Sequence, residues 1–231
     1  MKAPIPKNEA ARIEALRNYR ILDSAPERSY DAITALASFI CECPIALVSL
    51  VDSDRQWFKS KVGVTADETP RDHSFCAHAV VQGSSLVVED ALKDARFAEN
   101  PLVTGNPHIR FYAGAPLIAP TGHGLGSLCV IDRKPRTLSA EKAAALEQLA
   151  SLVVTQLELR RVSQELAEAA TNLRTLSGLL PICCFCKSIR NDGDYWQSVE
   201  SFIMAQTETM FSHGYCPTCA RKHYPDLFEN R

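Results

Sequence analysis

The stretch IALVSLVDSDRQWFKSKVGV, residues 45–64, decides the fold class. Residues 45–51 are mostly apolar and favour a β-strand, as short apolar runs rich in Val and Ile do. The cluster DSDR at residues 52–55 is typical of a turn, and residues 56–64 alternate well enough for a second strand. The stretch therefore predicts an antiparallel hairpin.

Further strands are predicted at residues 86–89, 111–119 and 125–132. The last two are separated by PTGHG, which favours a hairpin loop. Two amphipathic helices, over residues 8–19 and 29–40, precede the first strand. Helices followed by mostly antiparallel strands indicate an α+β fold.

A long helix is predicted from Ser139, because no proline or glycine interrupts the chain until Gly178. Its a and d positions repeat every seven residues, at Leu152, Leu159, Leu166 and Leu173 and at Thr155, Val162, Ala169 and Leu176. We expect residues 140–153 to pack on their own domain. The remaining stripe predicts a parallel coiled coil, and so a homodimer.

Length and charge exclude several classes of protein. At 231 residues the chain can bury one sizeable core plus an appendage, and its formal net charge of −2 does not attract nucleic acid or an anionic membrane. The N-terminus lacks the apolar region of a signal peptide, and no apolar run approaches the ~20 residues of a membrane span. We expect a cytoplasmic protein with neither a nucleic-acid nor a membrane partner.

The central region carries several ordered motifs: PIALVSLVDSDRQWFKSKVG, ETPRDHSFCAHAV, DARFAENPLVTGNPHIRFYAGAPL and GHGLGSLCVIDRKPRTLS. Over roughly residues 8–160 it resembles the GAF domains of bacterial signalling proteins. The resemblance implies a central antiparallel sheet of five or six strands, flanked on one face by helices from both chain ends. It also implies a small-molecule pocket on the other face.

The implied pocket would be built from residues 72–81 and 90–110, which are long connections of the kind that carry binding function. Its candidate ligand contacts are Cys76, His78, Asp90 and Arg110. We expect Asp72 to cap the helix that carries Cys76, which would favour the thiolate there. Two other interpretations stay open: a buried, inert thiol, and an ion pair of Arg110 with Asp90 or Asp94.

The identity of the ligand is open. The Asn-Lys-Phe-Asp-Glu signature of cyclic-nucleotide GAF domains is absent from the sequence. Bilin-binding relatives attach their chromophore through a cysteine followed directly by histidine, whereas Ala77 separates Cys76 from His78. We therefore expect a small molecule of another class.

The stretches PICCFCKSIR, residues 181–190, and SHGYCPTCAR, residues 212–221, predict a metal site. Two C-x-x-C turns offer four thiolates to one tetrahedral zinc ion, at Cys183, Cys186, Cys216 and Cys219. Such a site would be structural and would stabilise a tail with little core. Cys184 is a poorer alternative ligand, and His213 is the more credible substitute.

This tail also resembles a cysteine-rich extension found at the end of bacterial GAF, PAS and receiver proteins. Two other functions of its cysteines have less support from the sequence. A dithiol oxidoreductase would need a C-x-x-C motif in a thioredoxin-like βαβ unit, and neither motif has that context. A zinc module that reads nucleic acid would need excess positive charge, which residues 180–231 lack.

Together these patterns predict three parts: a GAF sensor domain at residues 1–153, a coiled-coil linker at 154–178 and a four-cysteine zinc module at 179–231. We expect a cytosolic signal-transduction protein in which a ligand biases the long helix and the tail docks on a protein partner. No catalytic output motif is visible, so we expect no enzyme. The alternative is a redox enzyme like the free methionine sulfoxide reductases of this fold, using Cys76 or Cys129. A third possibility is a GAF domain that only dimerises.

Overall fold

The computed structural model describes residues 5–177, 181–190, 193 and 195–224, without the side chains of residues 172–177 and 206. The chain divides into two compact units, Met1–Glu165 and Leu166–Arg231. The predicted boundaries of the three functional parts stay a prediction.

Helices and strands of the first unit follow the predicted order. Helices α1 (Glu9–Asn18) and α2 (Arg28–Cys41) come first. The remaining elements are β1 (Ile45–Val51), β2 (Arg55–Val62), β3 (Glu68–Pro70), α3 (Phe75–Gln82), β4 (Leu86–Val88), α4 (Pro101–Thr104), β5 (Phe111–Ile118), β6 (Gly124–Asp132) and α5 (Ala140–Ser177). Helix α5 continues into the second unit.

The six strands form one antiparallel sheet in the order β3-β2-β1-β6-β5-β4. Strand β1 lies near the centre, where Ala46 is opposite Val62 of β2 and Val130 of β6. The predicted α+β fold, with an antiparallel sheet flanked by helices and a long C-terminal helix, is confirmed. The sequence did not predict β3, because three residues are too few for a periodic pattern.

Alternation along β1 separates two hydrophobic cores, because successive side chains of a strand point to opposite faces of the sheet. Ala46, Val48 and Leu50 belong to the core shared with α1, α2 and α5. Ile45 and Leu47 belong to the second core, on the side of α3. Helix α5 buries five residues in the first core: Leu146, Leu149, Ala150, Val153 and Leu157.

A buried arginine attaches α1 to the sheet. Arg12 Nη1 donates to the carbonyl oxygens of Val51 and Gly124 at 2.8 and 3.2 Å, and its Nη2 donates to Glu9 Oε1 at 2.7 Å. Arg71 Nη1 donates to the same carboxylate oxygen at 2.5 Å. Burial alone would raise the pKa of Glu9, but these two guanidinium groups outweigh burial and lower it to about 2.

The cap of α3 differs from the expected one. Asp72 lies in a short 3₁₀ turn, Arg71–His73, and Ser74 is the N-cap residue of α3. The Ser74 hydroxyl accepts from the backbone N–H of Ala77 at 2.9 Å. The turn moves the helix start by two residues, yet Cys76 still occupies the first turn of α3.

The second unit has short elements and a small core. Strands β7 (Ile189–Arg190) and β8 (Trp196–Gln197) pair antiparallel, and helices α6 (Val199–Gln206) and α7 (Pro217–His223) follow. Among its described residues, the buried apolar side chains are Ile189 and Phe202, while Phe185 is 91% exposed.

None of the described helices combines the length and the hydropathy that crossing a bilayer requires.

Candidate functional site

A cavity of about 540 Å³ lies on the side of the sheet that carries the second core. Strand residues Leu47, Phe58 and Ile131 form part of its wall, and Phe75 of α3 and Leu102 of α4 form another part. This volume and this largely apolar lining are typical of small-molecule sites. The position agrees with the pocket that the sequence resemblance implied.

The polar side chains in the cavity wall include Gln56, Thr69, Ser74 and Arg133. Ser74 donates a hydrogen bond from its hydroxyl to Gln56 Oε1, so these two lining side chains hold each other. Thr69 Oγ1 is buried and has no hydrogen-bond partner within the described part of the protein. Arg133 is exposed, lines the cavity and donates from Nε to the carbonyl oxygen of Pro107 at 3.1 Å. The unpaired hydroxyl and the guanidinium are available to a bound molecule.

Of the four predicted pocket residues, Cys76 lines the cavity. His78 is on α3, with its ring edge-on to Phe97 at a centroid distance of 4.8 Å. Asp90 accepts from the backbone N–H of Leu92 at 3.2 Å, within a turn. These two residues are outside the described cavity lining.

Arg110 is also outside the described lining. Its Nη1 donates to the carbonyl oxygens of Val103 and Ile109, both at 2.9 Å. These bonds hold the segment after α4 against the start of β5. The ion pair considered for Arg110 with Asp94 is not formed in the described contacts, since Asp94 pairs with Arg96 at 2.6 Å.

Cys76 is close to a second buried thiol. Its Sγ atom lies 3.7 Å from Sγ of Cys129 on β6, and both side chains are essentially inaccessible to solvent. Tyr112 on β5 donates its hydroxyl to Cys76 Sγ at 3.4 Å. The Tyr112 hydroxyl also lies 3.3 Å from the hydroxyl of Ser127. The two cysteines therefore share a buried polar cluster that begins at the cavity wall, which Cys76 and Tyr112 line.

The face of the sheet opposite the cavity carries an ion network. Lys59 of β2 has a fully buried side chain, and its Nζ donates to Glu27 Oε1 at 2.7 Å. Arg160 of α5 donates from Nε to the same oxygen at 3.0 Å. Burial alone would raise the pKa of Glu27, but the two cations outweigh burial and lower it. Strand β2 thus connects to α5 through one carboxylate, while its neighbouring residue Phe58 lines the cavity.

The predicted seam of α5 is exposed where its side chains are described. Leu152, Leu159 and Leu166 are 54, 59 and 69% exposed, and Val162 is 50% exposed. The intervening core residues Val153 and Leu157 are buried. The helix therefore carries one apolar face toward the sheet and a second one without a described cover. Leu173 and Leu176 lie outside the described side chains.

The four cysteines predicted to bind zinc lie in two separate turns. Cys183 donates its backbone N–H to Ser188 O at 2.8 Å, and Cys219 donates its own to Cys216 Sγ at 3.4 Å. A hydrogen bond from Ser188 is the main cause that lowers the pKa of Cys186 to about 7. Among the described residues, however, no three His, Cys, Asp or Glu side chains come together as metal ligands. Each turn supplies two of the four predicted thiol ligands, and the structure does not support a complete zinc site among the described residues.

Sequence reasoning missed most of the cavity wall. Thr69 follows a loop and belongs to the three-residue β3, so no periodic pattern marked it. Gln56 and Phe58 lie in a strand that was predicted, but five successive buried residues of β2 hide which face each one takes. Gly63 lines the cavity, and a glycine in the sequence is a signal for a special backbone position. Its φ is +77°, and an added Cβ would lie 2.1 Å from the carbonyl oxygen of Pro44.

Comparison with known proteins identifies the fold and one close relative. The family model for the GAF domain matches residues 25–157. A cyclic di-GMP phosphodiesterase of Pseudomonas aeruginosa is 42% identical over 166 residues, which are 71% of this chain. The chain spans only 28% of that relative's length.

Two solved structures share the fold. The GAF domain of an Acinetobacter phosphoenolpyruvate-protein phosphotransferase has a TM-score of 0.51 at 15% identity, over 68% of this chain and 96% of that one. A free methionine-R-sulfoxide reductase of Neisseria meningitidis, in complex with its substrate, has a TM-score of 0.50 at 18% identity, over 67% and 92%. At these identities the likeness concerns the fold alone.

The comparisons correct one expectation. The expectation that this protein is not an enzyme is contradicted, because a relative of 42% identity carries the name of a phosphodiesterase. The lack of a visible output motif was a poor guide, since this chain spans only 28% of that relative's length. The predicted GAF domain and its place in signalling are confirmed, whereas the cysteine-rich extension is not shown by any comparison. The chain belongs to the GAF domain family.

Proposed function

We propose that the first unit is a small-molecule sensor that controls signalling by cyclic di-GMP. The observation that carries this proposal is the cavity of about 540 Å³, whose wall joins strands of the sheet to α3 and contains the unpaired hydroxyl of Thr69. A largely apolar cavity with a few polar groups favours a compact ligand that is oriented by hydrogen bonds.

The lining restricts the ligand further. Phe58 and Phe75 favour an aromatic or aliphatic body, and Thr69 offers one hydrogen bond. Arg133 is the cation of the described lining, so it suits one negatively charged group at the edge of the site. Cyclic di-GMP has two phosphates and would need more positive charge. We therefore propose a ligand other than cyclic di-GMP, with at most one anionic group.

Signal transfer to α5 is supported by the ion network. Phe58 contacts the cavity, and the next residue along β2, Lys59, shares the Glu27 carboxylate with Arg160 of α5. A ligand that moves β2 would change the distances in this network. Because Lys59 is fully buried, water cannot replace a lost partner without a free-energy penalty. The movement of β2 on ligand binding would thus reach the long helix α5.

The link to cyclic di-GMP is supported by the relative from Pseudomonas aeruginosa, which is 42% identical across this region. The activity of that whole protein comes to this chain only as a proposal, because the shared region is 28% of its length. We propose further that α5 forms a parallel dimer through its exposed seam, and that the second unit docks on a protein partner.

Zinc in the second unit is a separate proposal. The two C-x-x-C turns already have internal hydrogen bonds, and the unit has a small core that a metal ion would stabilise. Binding would require the two turns to come together around one ion, with Cys183, Cys186, Cys216 and Cys219 as ligands.

One observation favours the alternative of a redox enzyme: Cys76 lines the cavity and has a second thiol 3.7 Å away. Such an enzyme would reduce a sulfoxide at Cys76 and be regenerated by a reductant. Turnover of methionine-R-sulfoxide by the purified chain, with dithiothreitol as reductant, tests this alternative directly. Multiple turnovers would favour it over sensing.

Two measurements test the sensor. Native mass spectrometry of the chain purified under mild conditions should detect a retained small molecule, and denaturation should release it. Cells that express the chain should differ in cyclic di-GMP level from cells that express a Phe58→Trp variant, in which the larger ring narrows the cavity at one wall. Equal levels in the two cultures, with both proteins folded, would contradict the proposal.

A further inference from the structure

Two cysteines from different layers of the first unit meet in its interior. Cys76 is in the first turn of α3, and Cys129 is on β6, opposite Leu47 of β1 and Gly114 of β5. Their Sγ atoms lie 3.7 Å apart, which is within the contact distance of two sulfur atoms. The contact joins residues 53 positions apart in sequence, so only the fold creates it.

The surroundings of this pair favour one ionised and one protonated sulfur. Complete burial by itself would raise the pKa of Cys76, but hydrogen bonding to the thiolate, first of all from Cys129 and also from Tyr112, outweighs burial and lowers the pKa to about 6. The interaction with Cys76, together with burial, raises the pKa of Cys129. Cys76 is therefore the better nucleophile, with Cys129 as the neighbouring thiol.

We propose that Cys76 and Cys129 are an oxidation site at which a small peroxide produces an intramolecular disulfide. Cys76 lines the cavity but is only 1% exposed, so hydrogen peroxide would approach its sulfur from the cavity side when the wall around Cys76 opens slightly. Cys129 lies directly behind it. Oxidation of this pair requires neither a particular ligand in the cavity nor a signalling function of the chain.

The reaction has two steps. The Cys76 thiolate attacks one oxygen of the peroxide, so that an S–O bond forms, the O–O bond breaks, and the leaving hydroxide takes up a proton as water. The Cys129 thiol then attacks the sulfur of the resulting sulfenic acid. The S–S bond forms, the S–O bond breaks, and the hydroxyl leaves with the thiol proton as a second water. The two thiols lose two electrons and the peroxide gains them.

Bond formation requires a small movement. The sulfur atoms must approach from 3.7 Å to about 2.05 Å, the length of a disulfide bond. Because Cys76 belongs to α3 and Cys129 to the sheet, the bond would tie the cavity wall to β6. Oxidation would therefore change the cavity itself.

A second pair of buried cysteines is a matched control inside the same chain. Cys41 and Cys43 are both about 3% exposed, like the proposed pair in burial, but Cys43 directs its thiol to the carbonyl oxygen of Cys41 at 3.4 Å. Burial raises the pKa of Cys43 to about 11 and raises that of Cys41 as well. We expect these two thiols to stay reduced under the same treatment.

Peptide mapping of the intact chain tests the proposal. The reduced protein is treated with hydrogen peroxide and then denatured, so that its remaining free thiols, including the buried ones, are alkylated before trypsin is added. Cleavage after Arg and Lys isolates Cys76 in the peptide of residues 72–93 and Cys129 in that of residues 111–133, while Cys41 and Cys43 share residues 29–55. We expect loss of alkylation on the first two peptides, their recovery as one cross-linked species, and its disappearance after dithiothreitol.

Other outcomes overturn the proposal. If both peptides stay fully alkylated while the exposed tail cysteines oxidise, or if Cys76 pairs with another cysteine, the site does not exist as described. A disulfide produced by methionine-R-sulfoxide and not by peroxide would reject the peroxide and favour the reductase. In a Cys129→Ser variant we expect a Cys76 sulfenic acid that dimedone traps. The mapping of the unmodified chain decides the question even if this variant does not fold.

Discussion

Lys59 donates a hydrogen bond to Glu27 at 2.7 Å, on the face of the sheet opposite the cavity, and Glu27 in turn accepts from Arg160 of the long helix. The ammonium group of Lys59 is fully buried, whereas the Glu27 side chain is 33% exposed. Strand β2 and the loop before α2 are thus held by one charged contact, which Arg160 extends to α5.

Replacement of Glu27 by Gln should destabilise the first unit by about 3 kcal/mol, because the buried Lys59 charge would lose its counter-ion. Urea unfolding measures the loss. Asp23→Asn is the matched control: it removes a carboxylate from the exposed pair with Arg55, where we expect less than about 1 kcal/mol. Equal effects of the two substitutions would contradict a special role of Glu27.

The stability of the first unit should fall at acid pH through Glu9. Its pKa is about 2 in the folded protein, compared with the ordinary value of 4.5 that applies in the unfolded chain. The stabilisation is fully present above pH 4.5 and is lost as the pH falls from 4.5 toward 2, by about 3 kcal/mol in total. Denaturant unfolding at several pH values should show a shallower slope for Glu9→Gln; an unchanged slope would assign the effect to other groups.

Thr69→Val should weaken ligand binding up to about tenfold, because it removes a buried hydroxyl that has no hydrogen-bond partner among the described residues and that we expect to bond the ligand. The melting temperature of the free protein should stay the same or rise, since an unpaired buried group is lost. Thr34→Val is the control: its hydroxyl donates to Tyr30 O at 2.9 Å on the opposite face, so we expect a lower melting temperature and unchanged binding. Binding is followed by native mass spectrometry of the retained molecule.

The double substitution of Leu159 and Leu166 by Asp should give monomers in analytical ultracentrifugation. Both side chains are exposed in one chain, so their replacement should not unfold the GAF domain. Ala167→Asp places the same charge beside the seam and should leave a dimer intact. A dimer that persists in the double variant would remove α5 from the interface.

Elemental analysis of the purified chain should find one zinc ion per chain if the two C-x-x-C turns act together. Cys186→Ser should lower the zinc content, while Cys184→Ser should leave it unchanged, since Cys184 is not one of the four expected ligands. Full retention of zinc in Cys186→Ser, or no zinc in the unmodified chain, would reject the proposed site.

The sequence was sufficient for the elements with a clear period. The hairpin of residues 45–64, the two N-terminal helices and the continuous helix from Ser139 all occur within a residue or two of their expected bounds. Their signals are local, because alternation and helical spacing depend on neighbours along the chain. The family resemblance added two correct predictions that local patterns do not give: the antiparallel sheet and the position of the pocket.

Which residues line the pocket depends on contacts between parts of the chain that are distant in sequence. Cys76 was predicted from its own helix, but His78 and Arg110 contact Phe97 and backbone carbonyls, and Thr69 was not foreseen. Which side of β2 faces the cavity is decided by strand register, and a uniformly buried strand gives no pattern that reveals it.

The amino-acid sequence by itself determined where helices and strands begin and which family the domain resembles, since these follow from short-range periodicity and motif order. Only the tertiary structure decided that Cys76 meets Cys129 and that Lys59 meets Glu27. Such pairs form when sheet register and helix packing bring remote parts of the chain together, and no local pattern carries that information.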